Sequence, residues 1–131
     1  MRRSILFISP SADDVSTVSQ MLDGMAISCE NVSTLNRARQ KLEGEAFGVV
    51  LTEARLPDGN WADVVRLVGQ VKRGPAVVVT DELADTRFWL DALELGAYDV
   101  LPKPFCCGEV QRILANALQE PPRLTRSMPA A

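Results

Sequence analysis

The stretch LELGAYDVLPKPF, residues 93–105, changes backbone character twice within a few residues. Helical apolar spacing runs into Gly96, a residue type that accepts the left-handed conformation on which many helices end. Tyr98 to Leu101 then form a short apolar run without strict polar alternation, as suits a strand buried on both faces of a parallel sheet. Pro104 follows and is read as lying in the first turn of a last helix, where its missing N–H is not needed. That helix carries Val110, Ile113, Leu114, Ala117 and Leu118 on one side and has to stop before Pro121 and Pro122. Helix, buried strand and helix in direct succession make one link of an alternating chain.

The same link recurs upstream. ILFI at 5–8, VVL at 49–51 and AVVV at 76–79 are runs of the same kind, and a weaker one from Ala26 to Val32 alternates more, as an edge strand would. Ser11 or Asp13 can cap a helix carrying Val15, Val18, Met21 and Leu22 and ended by Gly24. Ser33 or Thr34 opens a second with Leu35, Ala38 and Leu42, stopping at Gly44. Asn60 opens a third with Val64, Val65, Leu67 and Val68, closed by Gly69 to Pro75, and a fourth runs from about Leu83 to Leu95. Five strands alternating with five helices over short links predict an α/β fold, a doubly wound parallel sheet covered on both faces. Such sheets bind ligands beyond the carboxyl ends of their strands.

Composition sets limits around that fold. With 131 residues, 47% hydrophobic and 24% charged, the chain is long enough to close one core and too apolar for disorder. It contains no histidine, which removes imidazole as general base, phosphoryl carrier or zinc ligand. A net charge of −3 argues against a broad nucleic-acid surface, which needs clustered Lys and Arg. Arg2 and Arg3 precede an apolar stretch too short for export, and no run approaches the roughly 18 apolar residues of a membrane span. Cys29, Cys106 and Cys107 are odd in number, with two adjacent, against a secreted disulfide framework, so the cytoplasm is the expected location. Residues 1–119 are expected to form the domain, and 120–131, rich in proline and small residues, a tail or linker.

Ser9 and Pro10 follow the first strand, Glu53 the third, Thr80 the fourth and Lys103 the fifth. With those residues in place, VVLTEARLPDG at 49–59, VVVTDE at 77–82 and LELGAYDVLPKPF at 93–105 resemble the receiver domain of bacterial response regulators, the CheY-like superfamily, from Ile5 to about Gln119. The resemblance implies a flavodoxin-like sheet in the order 2-1-3-4-5 and a signalling module that is not an enzyme. In that family a carboxylate pair after the first strand helps hold Mg²⁺, an aspartate after the third takes the phosphoryl group, and a hydroxyl residue and a lysine contact the phosphate. The cation neutralises charge on the transferring group.

This sequence departs from the pattern. Ser9 and Pro10 stand at the acidic pair, Glu53 at the phosphoacceptor and Val100 at the switch aromatic, while Thr80 and Lys103 are retained. The expectation is therefore an atypical receiver, or pseudo-receiver, acting by protein contact in bacterial two-component signalling without metal or cofactor, its partners a histidine kinase or an output protein. One alternative is a phosphorylatable receiver with a displaced metal site, Asp13 with Glu53; another is a small-ligand binder, for which no glycine-rich phosphate loop or nucleophile elbow speaks. Asp13 and Asp14 lie a helical turn past the strand, where capping is the simpler job.

Glu53 is expected to meet Lys103, either keeping the pocket intact or standing in for an acyl phosphate, its carboxylate reaching roughly 1.5 Å further than an aspartate's. Arg55 either enters the place of the cation and pairs with Glu53 or stays on an exposed loop. Trp61 either lids the pocket or packs on the loop. Phe88 and Trp89 diverge by about 100° around the fourth helix, so that one can face out. Receivers commonly meet partners, or a second copy, through the fourth helix, fifth strand and fifth helix, where an exposed aromatic suits an interface; covering the sheet edge is the other reading. Cys106 and Cys107 read as packing or exposed residues, since a vicinal disulfide is strained.

Overall fold

The computed structural model describes residues 3–71, 74–82 and 85–119. In chain order the elements are β1 (Ser4–Ile8), α1 (Ala12–Met21), β2 (Ser28–Val32), α2 (Leu35–Gly44), β3 (Val49–Glu53), β4 (Arg55–Leu56), β5 (Gly59–Asn60), α3 (Trp61–Gly69), β6 (Ala76–Asp81), α4 (Thr86–Leu95), β7 (Asp99–Pro102) and α5 (Cys107–Gln119). Five strands form one sheet in the order β2-β1-β3-β6-β7, every pairing parallel. This is the 2-1-3-4-5 order of the five apolar runs and a flavodoxin-like, CheY-like fold. β4 and β5 add a small antiparallel hairpin that the sequence pattern does not announce.

Side chains alternate across a strand, and here both faces are apolar. Ile5 and Phe7 join Val18 of α1, Leu22 at its C-terminal cap and Val110, Ile113, Leu114 and Ala117 of α5 in one layer. Leu6 and Ile8 join Ala38 of α2, Val64 and Val68 of α3 and Ala92 of α4 in the other. Burial on both sides is why the central strands show no polar alternation.

Helix starts follow local chemistry. Ser11, Thr34 and Asn60 accept from the backbone N–H groups of Asp14, Arg37 and Asp63, and Asp63 returns the bond to the Asn60 N–H, completing a capping box. Asp58, in the hairpin turn, accepts from the N–H groups of Leu35 (2.7 Å) and Asn36 (3.0 Å) and so ties the hairpin to α2. Gly96 ends α4 with φ of 113°.

Three boundaries differ from the sequence reading. β2 begins at Ser28, because Ala26 is left-handed with φ of 57° and cannot continue a strand. α4 begins at Thr86 behind the cap Asp85, later than Leu83, which lies outside the described residues. Pro104 is not in the first turn of α5: Phe105 packs against the α1/α5 layer, and helical bonding starts where the Cys106 carbonyl accepts from the Val110 N–H at 2.8 Å. The expected tail, 120–131, lies outside the described residues. Among the described residues no helix is long and apolar enough to cross a membrane.

Candidate functional site at the carboxyl ends of the strands

The parallel sheet brings Ser9, Glu53, Thr80 and Lys103 together at the carboxyl ends of its strands. Glu53, the last residue of β3, is register partner of Thr80 in β6. The Ser9 hydroxyl donates to Glu53 Oε2 at 2.8 Å and accepts from the Ser11 N–H at 3.1 Å. Lys103 Nζ lies 2.7 Å from Glu53 Oε1 and 2.6 Å from Asp14 Oδ2. One ammonium therefore serves two carboxylates, with the Lys103 and Glu53 side chains only 15% and 10% exposed.

Asp14, for which the sequence suggested capping, is the residue of this cluster that sequence reasoning misplaces. Ser11 takes the capping role and leaves the Asp14 carboxylate free to turn toward the sheet. The signal was present in the spacing: Asp14 stands four residues before the fully buried Val18, and residues so spaced share a helix face. Asp13 is exposed, so the pairing of Asp13 with Glu53 is corrected: the carboxylate brought to Lys103 from α1 is that of Asp14.

Electrostatics follow from one cation facing two anions. Burial pushes the Glu53 carboxyl above its ordinary range; Lys103 and Ser9 pull it down less strongly, and the neighbouring Asp14 adds to the rise. Burial works against the Lys103 ammonium, but Asp14 and Glu53 outweigh it and hold it above its ordinary range.

Thr80 is fully buried, and its hydroxyl finds no hydrogen-bond partner among the described residues. Val100 is buried in the layer beneath α4. Arg55 is exposed on β4; among the described residues the ion partner of Glu53 is Lys103 and not Arg55. Arg55 lines an open groove with Trp61, Asp85 and Phe88, and Trp61 packs on Phe88 at a ring-centroid distance of 5.7 Å. Phe88 is half-buried, whereas Trp89 is 41% exposed and donates through its indole N–H to Asp99 of β7 at 3.1 Å. Cys106 and Cys107 are exposed free thiols, and burial pushes the Cys29 thiol up.

A divalent cation asks for carboxylate oxygens open toward it. Both carboxylates here are engaged by the Lys103 ammonium, the Ser9 hydroxyl is directed at Glu53, and the side chain of Pro10 offers no donor atom. These residues do not fit a magnesium ion.

The family model of the response regulator receiver domain matches residues 5–115, and the chain belongs to that family. It is 28% identical over 118 residues to the response regulator protein PilR of Pseudomonas aeruginosa, covering 90% of this chain and 26% of that protein. It is 33% identical over 93 residues to the DNA-binding transcriptional regulator NtrC of Rhizobium meliloti, covering 71% of this chain and 19% of that one. The chain thus spans about a quarter or less of the length of these curated relatives. Among solved structures, the signal receiver domain of a putative LuxO repressor protein from Vibrio parahaemolyticus superimposes with a TM-score of 0.84 at 20% identity, covering 91% of this chain and 92% of that one. The beryllofluoride-activated NtrC4 receiver domain dimer gives 0.82 at 20% identity, covering 89% and 97%. At such identity the structural likeness shows the fold.

Proposed function

We propose that this receiver domain is a pseudo-receiver: it acts by protein contact in cytoplasmic two-component signalling and does not take up phosphate by the Mg²⁺ route. The observation that carries the reading is the state of Glu53, which fills the acceptor position with one carboxylate oxygen on Lys103 and the other on Ser9. Ser9 and Pro10 supply no acidic pair beside it. One carboxylate carries a single charge where a phosphoryl group adds about two, so Glu53 keeps the pocket assembled and imitates an acyl phosphate only in part. Partners are a histidine kinase or an output protein. The surface offered to them, or to a second copy, is the face of α4, β7 and α5, where Trp89 is exposed beside Asp99 of β7. Residues 1–119 are the working domain in this reading and 120–131 its tail or linker.

One observation favours the second reading, a phosphorylatable receiver. The orphaned Thr80 hydroxyl would gain a partner from an anion added at Glu53. Incubation with acetyl phosphate and Mg²⁺, followed by intact-mass measurement, decides between them. The expected result is no added phosphoryl group, and stable Mg²⁺-dependent phosphorylation of Glu53 would sink the pseudo-receiver.

A further inference from the structure

We propose that Lys103 and Asp14 form a latch that fills the site from within: the Lys103 ammonium takes the cation's place, Asp14 supplies from α1 the second carboxylate that the end of β1 lacks, and the pair shuts out divalent metal. The inference deepens the pseudo-receiver reading by giving its physical cause.

Three features of the geometry support it. Lys103 contacts both carboxylates at ion-pair distance, 2.6 Å to Asp14 and 2.7 Å to Glu53, and Ser9 binds the second Glu53 oxygen, so the cluster is closed on itself. The Asp14–Lys103 contact spans 89 residues of sequence and joins α1 to the connection between β7 and α5. Such a contact between two fixed elements is intramolecular, with the ammonium always at hand, whereas a dissolved ion has to be recruited. Finally, the cluster is mostly shielded from solvent, with Asp14, Lys103 and Glu53 side chains 24%, 15% and 10% exposed, so salt screens it less than a surface pair.

Removing the ammonium leaves two carboxylate oxygens, Asp14 Oδ2 and Glu53 Oε1, facing one point, with the Ser9 hydroxyl on the other Glu53 oxygen; carboxylate oxygens are the donors that hard divalent cations take. Lys103 thus does more than neutralise Glu53: it fills the space between the two carboxylates that a cation would bridge. Asp14 is a positioning residue in the native chain and becomes a ligand only when the lysine is gone.

Calorimetric titration of MnCl₂ into the full chain tests this, with the electron paramagnetic resonance signal of free Mn²⁺ as a second readout. The native chain should show no saturable binding. Lys103→Met should bind Mn²⁺ at least about tenfold more tightly than the native chain, and the double variant Lys103→Met/Asp14→Asn should lose that gain. Lys103→Gln repeats the comparison should the methionine variant fail to fold, as judged by circular dichroism. The latch is overturned if the native chain binds Mn²⁺ as tightly as Lys103→Met, if the folded lysine variants bind none, or if the gain survives Asp14→Asn. Phosphorylation of Glu53 would defeat the pseudo-receiver reading, yet it leaves this Mn²⁺ comparison to be scored by itself.

Discussion

Glu53 sits under a charge imbalance, since a single ammonium answers two carboxylates and burial weakens the contribution of water. Its carboxyl is raised from an ordinary value of 4.5 by burial, so in the pH range between that value and the higher folded one the folded chain binds more protons there than the unfolded chain. The stability tied to Glu53 is therefore fully present below pH 4.5 and lost as pH rises through the higher folded value. Glu53→Gln should make the fold more resistant to urea at neutral pH and remove that downward slope, which a series of unfolding midpoints against pH would record. Two buried threonines give a sharper contrast. The Thr52 hydroxyl donates to the Glu53 carbonyl at 2.9 Å, whereas that of Thr80 has no partner among the described residues. Thr52→Val should cost about 1 kcal/mol, and Thr80→Val should stabilise by about 1 kcal/mol, because the first loses a bond and the second an unsatisfied group. Urea denaturation of the two variants side by side checks both signs.

At the scale of elements, the helix starts are held by single side chains. Asn60→Ala breaks the capping box of α3 and should cost about 1 kcal/mol in chemical denaturation. Asp58 works between elements: the N–H groups of Leu35 and Asn36 hold its carboxyl below the ordinary 3.8, and Arg66 first, then the Asn60 N–H, does the same for Asp63. Both contribute stability present above pH 3.8 and lost as pH falls through the lower folded values. Asp58→Asn should flatten the acid limb of the stability profile, read by the same pH series. These caps were legible in the sequence to within a residue or two: Asn60 stood alone, while Ser11 or Asp13 and Ser33 or Thr34 were both open until the backbone bonds picked Ser11 and Thr34. The start of α5 was not, since a proline permits a first turn without requiring one, and the packing of Phe105 decided the outcome. The β4–β5 hairpin escaped notice for a similar reason. Its strands are two residues each and carry no period of their own.

For the whole molecule, the alternation of short apolar runs with helical spacing already fixed class and layer arrangement, and burial on both faces of the sheet is its physical cause. The positions of Ser9, Glu53, Thr80 and Lys103 followed, since parallel strands all point their carboxyl ends one way. The contact of Asp14 with Lys103 did not follow, because it joins an early helix to a late connection and depends on where α1 comes to rest. Core variants should be costly: Leu114, fully buried between α5 and the sheet, should lose about 2–5 kcal/mol as Leu114→Ala, measured by thermal and chemical unfolding.

The division of the core has a temporal side. The layer of α2, α3 and α4 has all its helices once residue 95 has been made and is completed by Ala97 and by Val100 of β7, but the opposite layer of α1 waits for α5, which ends at residue 119. At ribosomal speeds of about 5–20 residues per second, the apolar face of α1 stays uncovered for on the order of 10 s after its own synthesis. During those seconds Val18, Leu22, Ile5 and Phe7 are open to chaperones and to neighbouring nascent chains, and arrival of the last helix closes that interval.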